Sequence, residues 1–433
     1  MVRKSLGLLL VLAVVMSLGV ASVSAQDTAM ECPEGDADVV IAAGAVGIEF
    51  EVVQAQADRF MAMCPNVSIS LLETPDLATD RLGLYQQYWE AQTPDVDIYQ
   101  VDVIWAGIIA PHVVDLLEYV PEGYLDQFFP AMVAGQNIGG VQVAIPWFTD
   151  AAGLYYRTDL LEKTTWDELT AAAQTIQDGE RAAGNADFAG YVWQGNAYEG
   201  LTCDAHEWLV SETGETFISP EGEVNVNNDA FVAALERAAG WVGGISPEGV
   251  TTYGEEESRA VWQAGNAAFM RNWPYAYGLG NGEDSAVAGL FDYAPLPVGA
   301  NGTPAACLGG WQLAVSKYSD NPAAAAAVAI FMASYDEQKI RALSPQGANP
   351  TIPALYEDPE LIDANPLFSR MGPILASAYP RPSGFTAARY NDASTLFFSA
   401  VHSVLTGTTD AKTAVEDLEL DLQDLVDEIK ASM

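Results

Sequence analysis

The sequence predicts an α/β protein built as two lobes. The chain has 433 residues, half of them hydrophobic, enough for two domains each with its own core. Strand-like apolar runs alternate with amphipathic helical stretches, as in a sheet covered on both faces. Two extended stretches, near residues 150 and 297, suit crossings between lobes.

The elements follow in order. Arg3 and Lys4 precede an apolar run ending in Val23-Ser-Ala25. This is a positive region, an apolar region and a small-residue cleavage site, so cleavage is expected after about Ala25, with 1–25 a signal peptide. No Cys closely follows the run, which argues against a lipid anchor and for a soluble periplasmic protein. Residues 38–43 read as a buried strand. Phe50, Val53, Ala57 and Phe60 mark a helix by their 3-4-3 spacing. A strand at 67–72, a helix at 80–91 and a strand at 97–105 continue the alternation. The extended stretches 141–148 and 153–157 bracket Asp150. Thr165 and Glu168 form a capping-box pattern for a helix through 177. Helices fit 229–242, 256–265 and 322–335, and strands fit 267–270 and 311–315. In the last helix, Val415, Leu418, Leu422, Leu425 and Ile429 form an apolar stripe against an acidic face, which suits docking onto the protein. Trp166, Trp208, Trp241 and Trp262 fall in such elements and read as core.

Composition excludes several functions. Lys and Arg number 18 and Asp and Glu 59, a net charge of −41. That field repels phosphate backbones and no basic run counters it, so nucleic acid is not a partner. Anionic membrane surfaces are disfavoured for the same reason. The high apolar content excludes a disordered acidic chain. No nucleophile-elbow, zinc-protease, P-loop or dinucleotide motif occurs. No C-x-x-C occurs and His112, His206 and His402 are scattered, so neither a metal nor a cofactor is expected. A secreted glycoside hydrolase stays open, because paired carboxylates leave no fixed spacing in sequence.

Four cysteines remain after cleavage, an even count in an exported chain. Cys32 precedes the first strand and Cys64 follows the first helix, so both come to one end of a βαβ unit and are expected to pair. Cys203 and Cys307 then pair by elimination, with two buried thiols as the alternative.

Aromatic residues at irregular junctions carry the most functional information: Pro146-Trp-Phe148, Asn272-Trp-Pro-Tyr275 and Gly309-Gly-Trp311. A sugar presents an apolar C–H face and a rim of hydroxyls. An aromatic plane with carboxylates and arginine around it matches both.

These segments, with Asp102-Val-Ile-Trp105, Thr149-Asp-Ala-Ala-Gly153, Tyr198-Glu-Gly-Leu-Thr-Cys203 and Pro380-Arg-Pro382, make the chain resemble the extracellular solute-binding proteins of ABC sugar transporters, family 1. It is most similar to the trehalose/maltose-binding branch. The matches keep the family's order and cover nearly the whole mature chain. The resemblance implies a type II periplasmic-binding-protein fold: two α/β lobes joined by hinge strands, with the ligand in the cleft between them. The N-terminal lobe is expected at 26–149 plus 299–357, and the C-terminal lobe at 150–298 plus 358–433. The function implied is non-enzymatic capture of an α-linked disaccharide by a monomer, which delivers it to permease subunits in the membrane. A longer α-glucan, a sucrose-type sugar or a polyol is the alternative solute.

The resemblance also implies a ligand set. Glu49, Asp102 and Asp150 would accept from sugar hydroxyls, and Arg81 and Arg381 would donate. Trp273 and Trp311 would stack on sugar rings, with Gly310 letting the backbone approach. Phe148 stands where relatives often carry Tyr, which removes a hydroxyl. Each position has a structural alternative: a dipole charge for Glu49, an Arg81–Asp102 ion pair, a turn cap for Asp150, core for the tryptophans and surface for Arg381. Tyr198 and Glu199 belong to a family motif without an assigned role.

Overall fold

The computed structural model describes residues 31–157 and 165–433. The signal peptide expected at 1–25 lies outside the described residues. Among those described, no helix is long and apolar enough to cross a membrane.

The chain opens with β1 (Ala37–Ala43), α1 (Glu49–Met63), β2 (Val67–Glu73), α2 (Ala78–Ala91) and β3 (Ile98–Asp102). Val53, Ala57 and Phe60 of α1 are buried, as their spacing predicts. The expected third strand stops early because the Asp102 carboxylate accepts from the Ile104 amide and starts a 3-10 turn. A short helix at Ala106–Ile109 and two 3-10 turns, Ala110–His112 and Leu116–Glu118, follow. Next come β4 (Ile145–Ala151) and β5 (Gly153–Arg157), separated by one residue.

Helix α3 (Trp166–Ala182) starts at the predicted capping box, with both reciprocal bonds between Thr165 and Glu168 formed. Strand β6 (Ala189–Val192) leads to α4 (Glu199–Thr213), which the sequence pattern missed. Its residues from Glu199 to Ser211 are all buried. A helix packed on every side shows no amphipathic period. Then follow α5 (Asp229–Trp241), α6 (Glu255–Gln263), β7 (Ala267–Asn272), α7 (Tyr275–Gly280) and β8 (Phe291–Ala294). The last part holds β9 (Ala306–Val315), α8 (Pro322–Met332), α9 (Tyr335–Leu343), β10 (Ala378–Tyr379), α10 (Tyr390–Leu405) and α11 (Ala411–Ser432).

Two main sheets result among the described residues, beside a two-stranded pair of Asn137–Ile138 with Val141–Gln142. The first has the order β10-β9-β3-β1-β2, with β4 also paired to β9, and the second has the order β8-β5-β7-β6. The β1–β2 and β1–β3 pairs are parallel, whereas β9 runs antiparallel to β3 and to β4. The stretch near 297, expected as a crossing, contributes β8 to the edge of the second sheet beside β5. Strand β10 falls in the segment assigned by sequence to the second lobe, yet it pairs with Ala306 and Cys307 of the first sheet. The chain thus passes between the sheets at β4–β5, on the way from β8 to β9, and again after β10.

Separate cores sit under each sheet. Tyr85, Trp89, Tyr99 and Trp105 pack under the first. Tyr155, Trp262, Met270 and Tyr293 pack on one side of the second. Its other side holds Trp166, Trp208, Trp241 and the apolar stripe of α11. The four tryptophans read as core are each at most 2% exposed.

Cys32 and Cys64 are disulfide-bonded, closing a loop of sequence separation 32. Replacing both with Ser should lower unfolding free energy by about 3–4 kcal/mol, the loop-closure value for that length. Urea denaturation checks it; an unchanged midpoint would show that the crosslink contributes no stability.

Candidate functional site

The site grows out of the register of three adjacent strands. On β9, Trp311 lies opposite Asp102 of β3 on one side and Phe148 of β4 on the other. Directly opposed residues in paired strands point to the same face, so these three side chains share one face of the sheet. Two residues along β4, Asp150 faces the same way and is opposite Gly309. A Cβ at Gly309 would lie 3.0 Å from the Trp273 ring. The missing side chain is what admits that indole from the second sheet. Gly310 has φ +125°, and a Cβ there would sit 2.5 Å from the Phe148 carbonyl oxygen, so only glycine fits.

Asp102, Phe148, Asp150, Trp273, Gly310, Trp311, Glu49 and Arg381 all line one cavity of about 750 Å³, its open mouth included. Arg81 does not. Its guanidinium stacks 4.3 Å from the centre of the Trp311 ring, and its Nε donates to the Pro75 carbonyl at 3.0 Å. The indole takes the wall position and the cation lies behind it, so the expected role as a wall donor is corrected. The alternative Arg81–Asp102 pair is also not formed. Asp102 instead accepts from Arg381 Nη2 at 2.9 Å. Arg81 Nη1 and Nη2 have no hydrogen-bond partner among the described residues.

Glu49 begins α1 and is 3% exposed. Its Oε1 accepts from Gln100 Nε2 at 2.9 Å and from Arg341 Nη2 at 3.3 Å. Gly44 makes room for this arrangement. A Cβ there would approach within 2.3 Å of Glu49 Oε2 and 2.6 Å of Arg81 Nη2.

Three aromatic wall residues, Trp311, Trp273 and Phe148, each have an arginine against them. Arg271 lies 4.3 Å from the Trp273 ring centre and Arg341 lies 4.2 Å from that of Phe148, repeating the Arg81–Trp311 stack. Cation–π contacts of this kind fix a ring's plane. The edge of Trp273 is fixed too, because its Nε1 donates to Glu255 Oε1 at 3.1 Å. Glu255 also accepts from the Tyr198 hydroxyl at 2.6 Å.

Sequence reasoning gave no role to Tyr198 and Glu199, which line the cavity, and missed Glu255. Glu255 opens an acidic first turn of α6, where such charges usually serve the helix dipole; only the fold reveals its cavity-facing role. Arg341, behind the wall, is separated by 292 residues from its partner Glu49.

Cys203 and Cys307 are buried free thiols, not a disulfide. Their sulfurs are 2.8 Å apart, beyond the roughly 2.05 Å of an S–S bond. Burial pushes the Cys203 thiol well up, and the two sulfurs lie within hydrogen-bond distance of each other.

The electrostatics single out Asp150. It makes no ion pair with a described residue. Burial, then the nearby Glu49 and Asp102 charges, push its carboxyl up to about 7, while Arg341 pulls the other way. Burial likewise raises Glu199, opposed by Arg381. Burial lowers Arg341 to about 10 against the pull of Glu49 and Asp150.

The profile of the bacterial extracellular solute-binding protein family matches residues 44–339. The chain belongs to that family. It is 46% identical over 388 residues to a probable ABC transporter-binding protein of Deinococcus radiodurans, covering 88% of this chain and 92% of that one. It also matches the solved structure of maltose-bound MalE3 of T. maritima, with a TM-score of 0.85, 37% identity, and coverage of 90% of this chain and 100% of that one. A maltotriose-binding protein of Pyrococcus abyssi is 25% identical over 279 residues, 62% of this chain and 54% of that one. Members of this family bind solutes for ABC transporters and are not enzymes, and the two-lobed architecture is the one the sequence predicted.

Asp150 gives a pH test. The folded protein keeps a proton on it that the unfolded chain releases near the ordinary value of 3.8. Its contribution to stability is therefore present below pH 4 and lost as pH rises through about 7. Asp150→Asn should raise unfolding free energy on the order of 2 kcal/mol at pH 8 and change it little at pH 4. Thermal melts at the two values check this; an equal shift at both would contradict it.

Proposed function

We propose that the cavity binds an α-linked disaccharide of the maltose or trehalose type, outside the cytoplasmic membrane, for delivery to an ABC permease. One observation carries this reading. Two indoles, Trp311 from the first sheet and Trp273 beside the second, line one cavity together with carboxylates and Arg381. Two platforms suit two sugar rings, and charged groups around them suit hydroxyl rims. The maltose-bound T. maritima relative supports the choice of sugar.

Asp102 and Glu199 bind Arg381, Glu49 binds Gln100 and Arg341, and Glu255 binds Tyr198 and Trp273. Carboxylates held by protein donors suit fixed acceptors better than an acid and nucleophile pair, which favours binding over hydrolysis. The expected boundaries of 26–149 plus 299–357 and 150–298 plus 358–433 are retained for the lobes, with β10 moved to the first.

Trp273→Ala and Trp311→Ala should each cost about 1–3 kcal/mol of maltose or trehalose binding, or roughly fivefold to over a hundredfold in Kd. Calorimetry with maltose, trehalose, sucrose, maltotriose and glucose checks it, with a product assay for released glucose. Unchanged affinity in both variants would overturn the site. Glucose release by the wild-type protein would overturn the non-enzymatic reading.

A further inference from the structure

The turn after α9 places Gln346 in the wall of the cavity. Ser344-Pro-Gln-Gly347 has Ser, Pro and Gly at the first, second and fourth positions of a β-turn, the residues such turns favour there. The Gly347 amide closes it by donating to the Ser344 carbonyl at 2.9 Å, and Gly347 is left-handed at φ +60°. The Ser344 hydroxyl donates to the Arg341 carbonyl at 2.6 Å and ties the turn to the end of α9.

Contacts on either side fix where this turn sits. Just beyond it, the Asn349 carbonyl accepts from the Thr149 amide of β4 at 3.0 Å, next to Asp150. The Pro345 carbonyl lies against α7, where a Cβ at Gly278 would come within 2.0 Å of it. Trp273 stands two residues before that helix. A Pro-bearing turn held at both flanks has little backbone freedom, so it presents Gln346 in one place.

Gln346 is 3% exposed, and its Oε1 has no hydrogen-bond partner among the described residues. The tyrosine hydroxyls of the same cavity are engaged: Tyr198 donates to Glu255 and Tyr275 to Glu256, each at 2.6 Å. A buried polar group left unpaired is costly, and a ligand group that pairs with it removes that cost. A carboxamide both accepts and donates without carrying charge, which matches a hydroxyl. A site built to bond one hydroxyl also rejects a sugar lacking it, because the site's own polar group is then left unpaired.

We infer that Gln346 is a specificity-determining ligand contact whose carboxamide hydrogen-bonds one hydroxyl of the bound sugar. The inference rests on the reading of this cavity as a sugar site.

The test is calorimetry of the full mature chain with maltose and trehalose, then with the monodeoxy derivatives of whichever binds more tightly. Gln346→Met, similar in length but without the carboxamide, should bind the parent sugar about tenfold more weakly than the wild type. One monodeoxy derivative should bind the wild type about tenfold more weakly than the parent sugar and lose nothing further in the variant. The other derivatives should lose as much in the variant as the parent sugar does. Thermal melts establish folding, and Gln346→Ala reads the same cycle. Parent-sugar affinity unchanged in the folded variants, or an equal loss for every derivative, would overturn the assignment alone. A wild-type protein that binds neither sugar would overturn the reading of the cavity and the assignment with it.

Discussion

The antiparallel β4–β9 pair is the constraint on which the rest of the site depends. Strand β4 begins in the first sheet and continues through one residue into β5 of the second. Strand β9 answers it from the other direction, and its Trp311 is bracketed by Asp102 and Phe148. Hydrogen-bonded strands fix which residues share a face, and a slip of one would turn all of them away from the cavity. Gly309 and Gly310 are the sequence's response to that crowding. One leaves space for Trp273, and the other lets the strand pass the Phe148 carbonyl. A site at the crossing can draw groups from both halves without long loops.

Behind this wall lies a second layer of buried cations. Arg81, Arg271 and Arg341 are each at most 1% exposed and each lies against a cavity ring. Burying three guanidinium groups is costly unless they are compensated. Arg271 is met by Glu207 at 3.0 Å and Asp204 at 3.7 Å, and Arg341 by Glu49. The net charge of −41 conceals this arrangement. Acidic residues dominate the total, but the rings that would meet a ligand are braced by positive charge. Asp150 has no such partner, and burial with the nearby Glu49 and Asp102 charges pushes it toward neutrality.

Much of the fold was legible because it follows from periodicity. The α1 spacing, the Thr165–Glu168 capping box and the apolar stripe of α11 each act locally, and each element formed where its pattern placed it. Helix α4 was not legible because it is buried on all sides, which erases the polar face that periodicity detects. The site was legible in part through short segments such as Gly309-Gly-Trp311, whose composition suits a tight wall beside a ring. Arg81 was expected as a ligand donor because the family resemblance implied it, whereas its guanidinium stacks behind Trp311. Glu255, Arg341 and the Glu199–Arg381 contact depend on tertiary contacts across long stretches of chain, and no local pattern encodes them. The Cys203–Cys307 pairing rested on an even count, which says nothing about sulfur separation.

The central claim is that the indoles on either side of the crossing strands form one sugar site. A crystal structure of the protein with maltose tests it most directly. The account predicts one disaccharide in the cavity, its rings against Trp311 and Trp273 and its hydroxyls on Glu49, Asp150 and Arg381. An empty cavity, or maltose bound away from both indoles, would contradict it.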